Sequence, residues 1–136
     1  MTRNKDPFAR FAVTRPSQLV TKSDQWYDDA RFLHRSKRYA AAMYLGGFVV
    51  ECLLKRALWG RRSEPAVRKL FFASHDLAEL LDANKDLASR MQADRTRAYD
   101  QFVQLTSWTV RFRYNPRKPH ADDARVFMRR LKETRE

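Results

Sequence analysis

The chain of 136 residues contains one cysteine, three glycines and five prolines. A single cysteine, Cys52, excludes an intramolecular disulfide, and the basic start MTRNKDPFARFAV has no continuous apolar segment for export. Both features predict a cytoplasmic protein. The scarcity of glycine and proline favours helices. Since no segment alternates polar and apolar residues for long and no Asn-Gly or Asp-Gly pair is present, strands are not expected.

Motifs for metal and phosphate chemistry are also missing. His34, His75 and His120 are far apart in the sequence, and no Cys/His pair has zinc spacing. No glycine-rich phosphate loop, G-x-S-x-G or H-E-x-x-H motif occurs. The tripeptide Ser74-His75-Asp76 contains triad residue types, but consecutive residues at a helix start point in different directions. We therefore interpret it as a helix cap and predict neither a metal nor a cofactor.

Acidic residues are few relative to basic ones. The 28 lysines and arginines against 16 aspartates and glutamates give a formal net charge of +12. Such a field attracts polyanions, so RNA or DNA is the first candidate ligand and an acidic protein the second. A basic surface with no specific ligand is the third interpretation.

The only long apolar segment is Tyr39 to Trp59. Its apolar residues recur with helical periodicity over most of the circumference, which predicts a central helix surrounded by other elements. Glu51 and Lys55-Arg56 argue against a membrane span. Gly46-Gly47 lowers helix propensity, which suggests that a neighbouring backbone approaches closely there.

Glu51 needs a partner if this helix is buried, because an unpaired buried carboxylate is costly. Lys55 lies one turn later and can pair with it locally. Two interpretations stand: a solvated residue at the rim, or a buried ion pair with an arginine of another helix, for which Arg113 is the candidate.

The rest of the chain predicts an irregular N-terminal arm, residues 1–15, and one helical domain, residues 16–136. In the arm, Phe8, Phe11 and Val13 are apolar residues able to dock on the domain. The domain is predicted to be all-α, an antiparallel bundle of four main helices with short extra helices. Besides the central helix, we expect helices at 16–34, after Ser74, at 86–112 and at 121–133, with a short one through AVRKLFF.

The segment WTVRFRYNPRKPHADDAR, residues 108–125, combines basic and aromatic side chains. Guanidinium groups bind phosphate, and aromatic rings stack on unpaired bases. A histidine can transfer a proton at a 2′-hydroxyl, and an arginine can stabilise the transition-state charge. In the alternative interpretation, Trp108 and Tyr114 belong to the core, Arg113 pairs with Glu51 and His120 is a solvated loop residue.

The central helix, the later SHDLAELL and the W-x-x-x-x-R-Y segment together resemble the HEPN domain family (higher eukaryotes and prokaryotes nucleotide-binding). The resemblance spans about residues 26–131. The matching residues are Tyr44, Gly46, Glu51, Leu54, Lys55, His75, Asp76, Leu77, Leu80, Trp108, Arg113 and Tyr114.

This resemblance implies an antiparallel helical bundle that forms homodimers. Many members are RNases of toxin or defence type, often paired with a nucleotidyltransferase-like antitoxin, while others bind nucleotides or RNA without catalysis. Active members carry an arginine followed a few residues later by a histidine. Here Arg113 and His120 have six residues between them, with Pro116 and Pro119 in the interval.

The functional prediction is therefore binding of RNA or nucleotides. If the protein is an enzyme, it is a metal-independent endoribonuclease in which Arg113 holds the scissile phosphate and His120 is the general acid or base. The alternative is a non-catalytic module that docks an acidic partner such as a cognate antitoxin. The predicted nucleic-acid contacts are Arg111, Tyr114, Asn115, Arg117 and Lys118.

Overall fold

A computed structural model describes residues 6–74, 76–84 and 116–135 of the chain. Regular structure within these ranges is helical, and no strand occurs in them. The predicted all-α bundle is confirmed. The helix expected at 86–112 lies outside the described residues. The described helices are α1 (Pro16–Arg35), α2 (Tyr39–Ala57), α3 (Pro65–Ala73), α4 (Leu77–Ala83) and α5 (Ala121–Arg135).

Helix α1 begins at Pro16, as the sequence predicts, because proline needs no hydrogen-bond partner in a first turn. The Gln18 side chain fixes this start, accepting hydrogen bonds from the backbone N–H groups of Thr14 at 2.7 Å and Arg15 at 3.0 Å. The buried hydroxyl of Ser23 donates to the Val49 carbonyl at 3.1 Å and so joins α1 to α2. The buried stripe of α1 is Leu19, Ser23, Tyr27 and Ala30.

Helix α2 is the central element, packed against α1, α4 and α5. Its residues are buried on most of the circumference, as predicted. The helix ends at Ala57 and a 3-10 turn, Trp59–Arg61, follows, so α2 is two residues shorter than the apolar segment that predicts it. None of the helices in the described ranges combines the length and apolar character that a membrane crossing requires.

Gly46 of α2 permits a close contact with a side chain of another helix. The close backbone approach expected at Gly46-Gly47 stays a prediction. A Cβ atom added at Gly46 would overlap the Phe127 ring, lying 2.9 Å from its Cζ atom and 3.1 Å from Cδ2 of Leu131. Both residues belong to α5 and are fully buried. Gly46 therefore sets the distance between α2 and α5 by leaving room for an aromatic ring.

The short helix α3 confirms the one expected through AVRKLFF. The cap of α4 is Asp76, whose Oδ1 accepts a hydrogen bond from the Glu79 backbone N–H at 3.3 Å. Ser74 was the expected cap, but its hydroxyl instead accepts from the Asp76 backbone N–H and donates to the Glu79 carboxylate, both at 3.1 Å. Ser74 thus lies two residues before the cap residue and supports it. His75 lies outside the described residues.

Helix α5 buries the four residues that its periodicity predicts: Ala124, Phe127, Met128 and Leu131. The described part of the N-terminal arm, in contrast, does not dock on the domain. Phe8, Phe11 and Val13 are 68%, 66% and 47% exposed. The arm forms a 3-10 turn at Ala9–Phe11, in which the rings of Phe8 and Phe11 stack on each other at 6.4 Å.

Candidate nucleic-acid interface

The segment of residues 116–120, here called the elbow, joins α5 to the preceding chain without helical structure. This conformation is expected because Pro116 and Pro119 cannot continue a regular helix. Arg117, Lys118 and His120 are all exposed, and Pro119 is half-buried. The elbow therefore presents two permanent cations and an imidazole to solvent.

His120 occupies the N-cap position of α5. Its backbone N–H donates to Oδ2 of Asp123 at 2.9 Å, and its carbonyl accepts from the Ala124 backbone N–H at 3.2 Å. The first interaction is the carboxylate half of a capping box. It fixes the His120 backbone to the helix while the imidazole stays accessible to a ligand.

The first turn of α5 also carries acidic groups. Asp122 and Asp123 are exposed, and Oδ1 of Asp122 lies 3.3 Å from a guanidinium nitrogen of Arg125. Acidic residues suit a helix N-terminus because of its positive dipole. They also repel phosphate, so the basic surface of the elbow is centred on Arg117 and Lys118 and not on the helix start.

Several predicted site residues lie outside the described ranges: Arg111, Arg113, Tyr114 and Asn115. The pairing of Arg113 with His120, or with Glu51, stays a prediction. Within the described residues, the structure brings Arg117, Lys118 and His120 together on one exposed segment.

Glu51 is 8% exposed, and its Oε1 atom lies 4.0 Å from Nζ of Lys55. The local pair with Lys55 is therefore confirmed, and the interpretation of Glu51 as a solvated rim residue is wrong. Lys55 is itself largely buried along its side chain. The two charges remain close because both are withdrawn from water.

The neighbouring thiol does not supply a nucleophile at neutral pH. The pKa of Cys52 is raised to about 11, first by burial and then by the charge of Glu51, while Lys55 and Lys22 act in the opposite direction. Since thiolate is the reactive form, Cys52 is an inert core residue in the folded protein. Across the described ranges, no three His, Cys, Asp or Glu side chains are grouped closely enough to hold a metal ion.

A second basic and aromatic surface lies on α3 and was not predicted from the sequence. It is a shallow cavity of about 610 Å³ lined by Ser63, Pro65, Arg68, Lys69 and Phe72. Phe72 is 65% exposed, unlike its neighbour Phe71, which is buried. The spacing of Arg68 and Phe72, one helical turn apart, was the available signal in AVRKLFF.

Comparisons of the chain with protein-family models, curated proteins and solved structures gave no match. The resemblance to HEPN domains rests on the residues that carry it in the sequence.

Proposed function

We propose that this chain is a HEPN-like helical protein that binds RNA or nucleotides through the basic segment 111–120. The observation that carries the proposal is the exposure of Arg117, Lys118 and His120 on the elbow of a chain with net charge +12. Arginine and lysine there can contact phosphate groups without unfolding any helix.

The residues that carry the resemblance to HEPN domains lie mostly in the helices, whereas the proposed ligand contacts lie on the elbow. Gly46, Glu51 and Leu54 of α2 are buried, as are Leu77 and Leu80 of α4. These residues therefore serve the bundle. The elbow, by contrast, is mostly exposed, as expected for a segment that contacts a ligand.

The proposed reaction, if the protein cleaves RNA, is transesterification without a metal ion. The 2′-hydroxyl attacks the adjacent phosphorus, the bond to the 5′-oxygen breaks, and a 2′,3′-cyclic phosphate forms. His120 would remove the 2′-hydroxyl proton or protonate the leaving oxygen. Arg113 would neutralise charge on the phosphorane-like transition state.

The test is incubation of the purified full-length protein with single-stranded and structured RNA in EDTA. We expect His120→Ala to lose cleavage by roughly a hundredfold or more while RNA binding persists. Arg117→Gln with Lys118→Gln should weaken binding. Circular dichroism checks that each variant is folded. Cleavage that survives His120→Ala would contradict the catalytic role, and no binding at low salt would overturn the nucleic-acid proposal.

The alternative is a non-catalytic module that docks an acidic protein such as a cognate antitoxin. The exposed arm favours it, because Phe8 and Phe11 flank Arg10, whose guanidinium lies 4.5 Å from the Phe11 ring centre. Exposed apolar groups of this kind often mark protein contacts. Absence of RNA binding together with capture of an acidic partner, lost on Phe8→Ala and Phe11→Ala, would favour this function.

A homodimer is part of the same proposal, since paired HEPN domains form one composite cleft. Light scattering on the purified protein tests it, and a monomeric mass at micromolar concentration would contradict it.

A further inference from the structure

A basic cleft lies between α1 and the C-terminal end of α5, away from the elbow. Its volume is about 510 Å³, and the described residues that line it are Tyr27, Arg31, Lys132 and Arg135. The two helices are joined beside it by Arg135, which donates to Oδ1 of Asp24 at 2.5 Å. Three cationic side chains from opposite ends of the sequence thus converge on one cavity.

The Tyr27 ring holds two of these cations in place. Tyr27 is 8% exposed, so its ring is fixed by the core. The guanidinium carbon of Arg135 lies 3.9 Å from the ring centre, and that of Arg31 lies 5.7 Å away. Cation–π contacts and the Asp24 pair order side chains that would otherwise be mobile. The cleft is consequently preorganised, which lowers the entropic cost of binding a ligand.

We propose that this cleft binds a small anion with two adjacent phosphate groups, such as inorganic pyrophosphate or the diphosphate of a nucleotide. Arg31 and Lys132, together with Arg135 that is shared with Asp24, offset much of the charge of such a group, and guanidiniums offer paired donors to phosphate oxygens. The volume lies in the range of small-molecule sites. Because guanidiniums already lie over the Tyr27 ring, the ring is not a stacking platform, and the phosphates rather than a base carry recognition.

Helix dipoles do not account for this arrangement. Lys132 and Arg135 lie in the last turn of α5, and Arg31 lies near the end of α1, where cations are favourable. The dipole, however, favours a cation on any side of the helix. Convergence on one cavity needs another reason. The cleft is also separate from the elbow, because Lys132 lies twelve residues, or about 18 Å along the helix, beyond His120.

The test is calorimetric titration of the full chain with inorganic pyrophosphate at low salt in EDTA, with sulfate as a second titrant. Arg31→Gln and Lys132→Gln remove exposed cations and should leave the fold intact. Arg129→Gln is the matched control, since it removes the same charge from an exposed position of α5 outside the cleft. We expect roughly tenfold weaker pyrophosphate binding in each cleft variant, little change in Arg129→Gln, and weaker binding of sulfate.

Three outcomes would overturn the proposal: no detectable heat with pyrophosphate, equal weakening by Arg129→Gln, or equal affinity for sulfate. RNA binding is measured on the same variants. If Arg31→Gln weakens RNA binding but leaves pyrophosphate binding unchanged, the cleft is part of a nucleic-acid surface and the proposal fails. If only the elbow variants lose RNA binding, the result bears on the proposed function of the elbow and does not change the conclusion about pyrophosphate binding in the cleft.

Discussion

Gly46 is the residue whose replacement tests the packing of α2 on α5. Alanine gains about 1 kcal/mol in helix propensity. Its Cβ atom, however, would overlap the Phe127 ring, which is fully buried. Overpacking of this kind costs about 1–3 kcal/mol. We expect Gly46→Ala to lower the free energy of unfolding by a net value of about 1 kcal/mol, measured by urea denaturation.

Gly60 provides the matched control for this substitution. A Cβ atom there meets no atom within 4 Å. Gly60→Ala should therefore change the free energy of unfolding by less than about 0.5 kcal/mol. The double variant Gly46→Ala with Phe127→Leu should lose less free energy of unfolding than the sum of the losses in the two single variants. Equal effects of the two alanine substitutions would mean that Phe127 is not the constraint.

Cys52 makes stability sensitive to alkaline pH. Its pKa rises from 9.0 to about 11 on folding, because burial disfavours the thiolate and Glu51 repels it. Below pH 9 the thiol is protonated in both the folded and the unfolded chain, and its contribution to stability is fully present. Between pH 9 and 11 only the unfolded chain loses the proton, so stability falls as pH rises. The loss is at most about 3 kcal/mol, since one pKa unit corresponds to about 1.4 kcal/mol.

The measurement is the free energy of unfolding of the wild type and of Cys52→Ala at several pH values from 8 to 11. The other ionisable groups are the same in both proteins, so their effects largely cancel in the difference. We expect the stability advantage of the wild type to shrink across this interval. A difference that is constant with pH would show that the thiol ionises equally in both states.

At the scale of the element, the connection from α1 to α2 carries a conformational strain. Lys37 has a φ angle of 61°, the left-handed region that glycine favours after a helix. Backbone hydrogen bonds from Ser36 to Phe32 at 3.0 Å and from Arg38 to Leu33 at 2.9 Å close the helix end around it. We expect Lys37→Gly to stabilise the protein by roughly 0.5–1 kcal/mol.

The control for Lys37→Gly is Lys37→Ala, which also removes the charge but keeps a Cβ atom. Alanine should leave the strain in place and give little or no gain. The thermal midpoints of the three proteins provide the comparison. A gain in the alanine variant equal to that of glycine would assign the effect to charge instead of backbone conformation.

Helices with a regular apolar period were predictable from the sequence. In α5, the spacing of Ala124, Phe127, Met128 and Leu131 defines one face, and that face is buried. Local capping was less predictable because Ser74 and Asp76 are both good cap residues two positions apart. Only the hydrogen bond from the Glu79 N–H to Asp76 decides between them.

At the scale of the whole molecule, contacts between distant segments could not be read from the sequence. Tyr27 and Arg135 are far apart in the chain, so no local pattern indicates that they share a cleft. Phe8 and Phe11 are large apolar residues of the kind that dock on a core, yet their rings stack on each other. The break in helical structure at 116–120 was predictable because proline restricts its own backbone and that of the residue before it.

The net charge of +12 predicts that RNA binding depends strongly on salt. Each phosphate contact to single-stranded nucleic acid contributes about 0.7 to the slope of log affinity against log salt concentration, because binding releases condensed counterions. If Arg117 and Lys118 contact phosphate, the double variant Arg117→Gln with Lys118→Gln should reduce the slope by roughly 1.4. Fluorescence anisotropy with a labelled single-stranded RNA at several salt concentrations measures it.

The cleft double variant, Arg31→Gln with Lys132→Gln, is the control that separates local contact from overall charge. It also removes two positive charges, one on α1 and one, Lys132, about 18 Å along α5 from His120. Exposed charges farther apart than about 10 Å are largely screened at 0.1 M salt. The control should therefore retain nearly the full slope. If both double variants reduce the slope equally, the RNA responds to the general positive field, and the elbow is not its binding site.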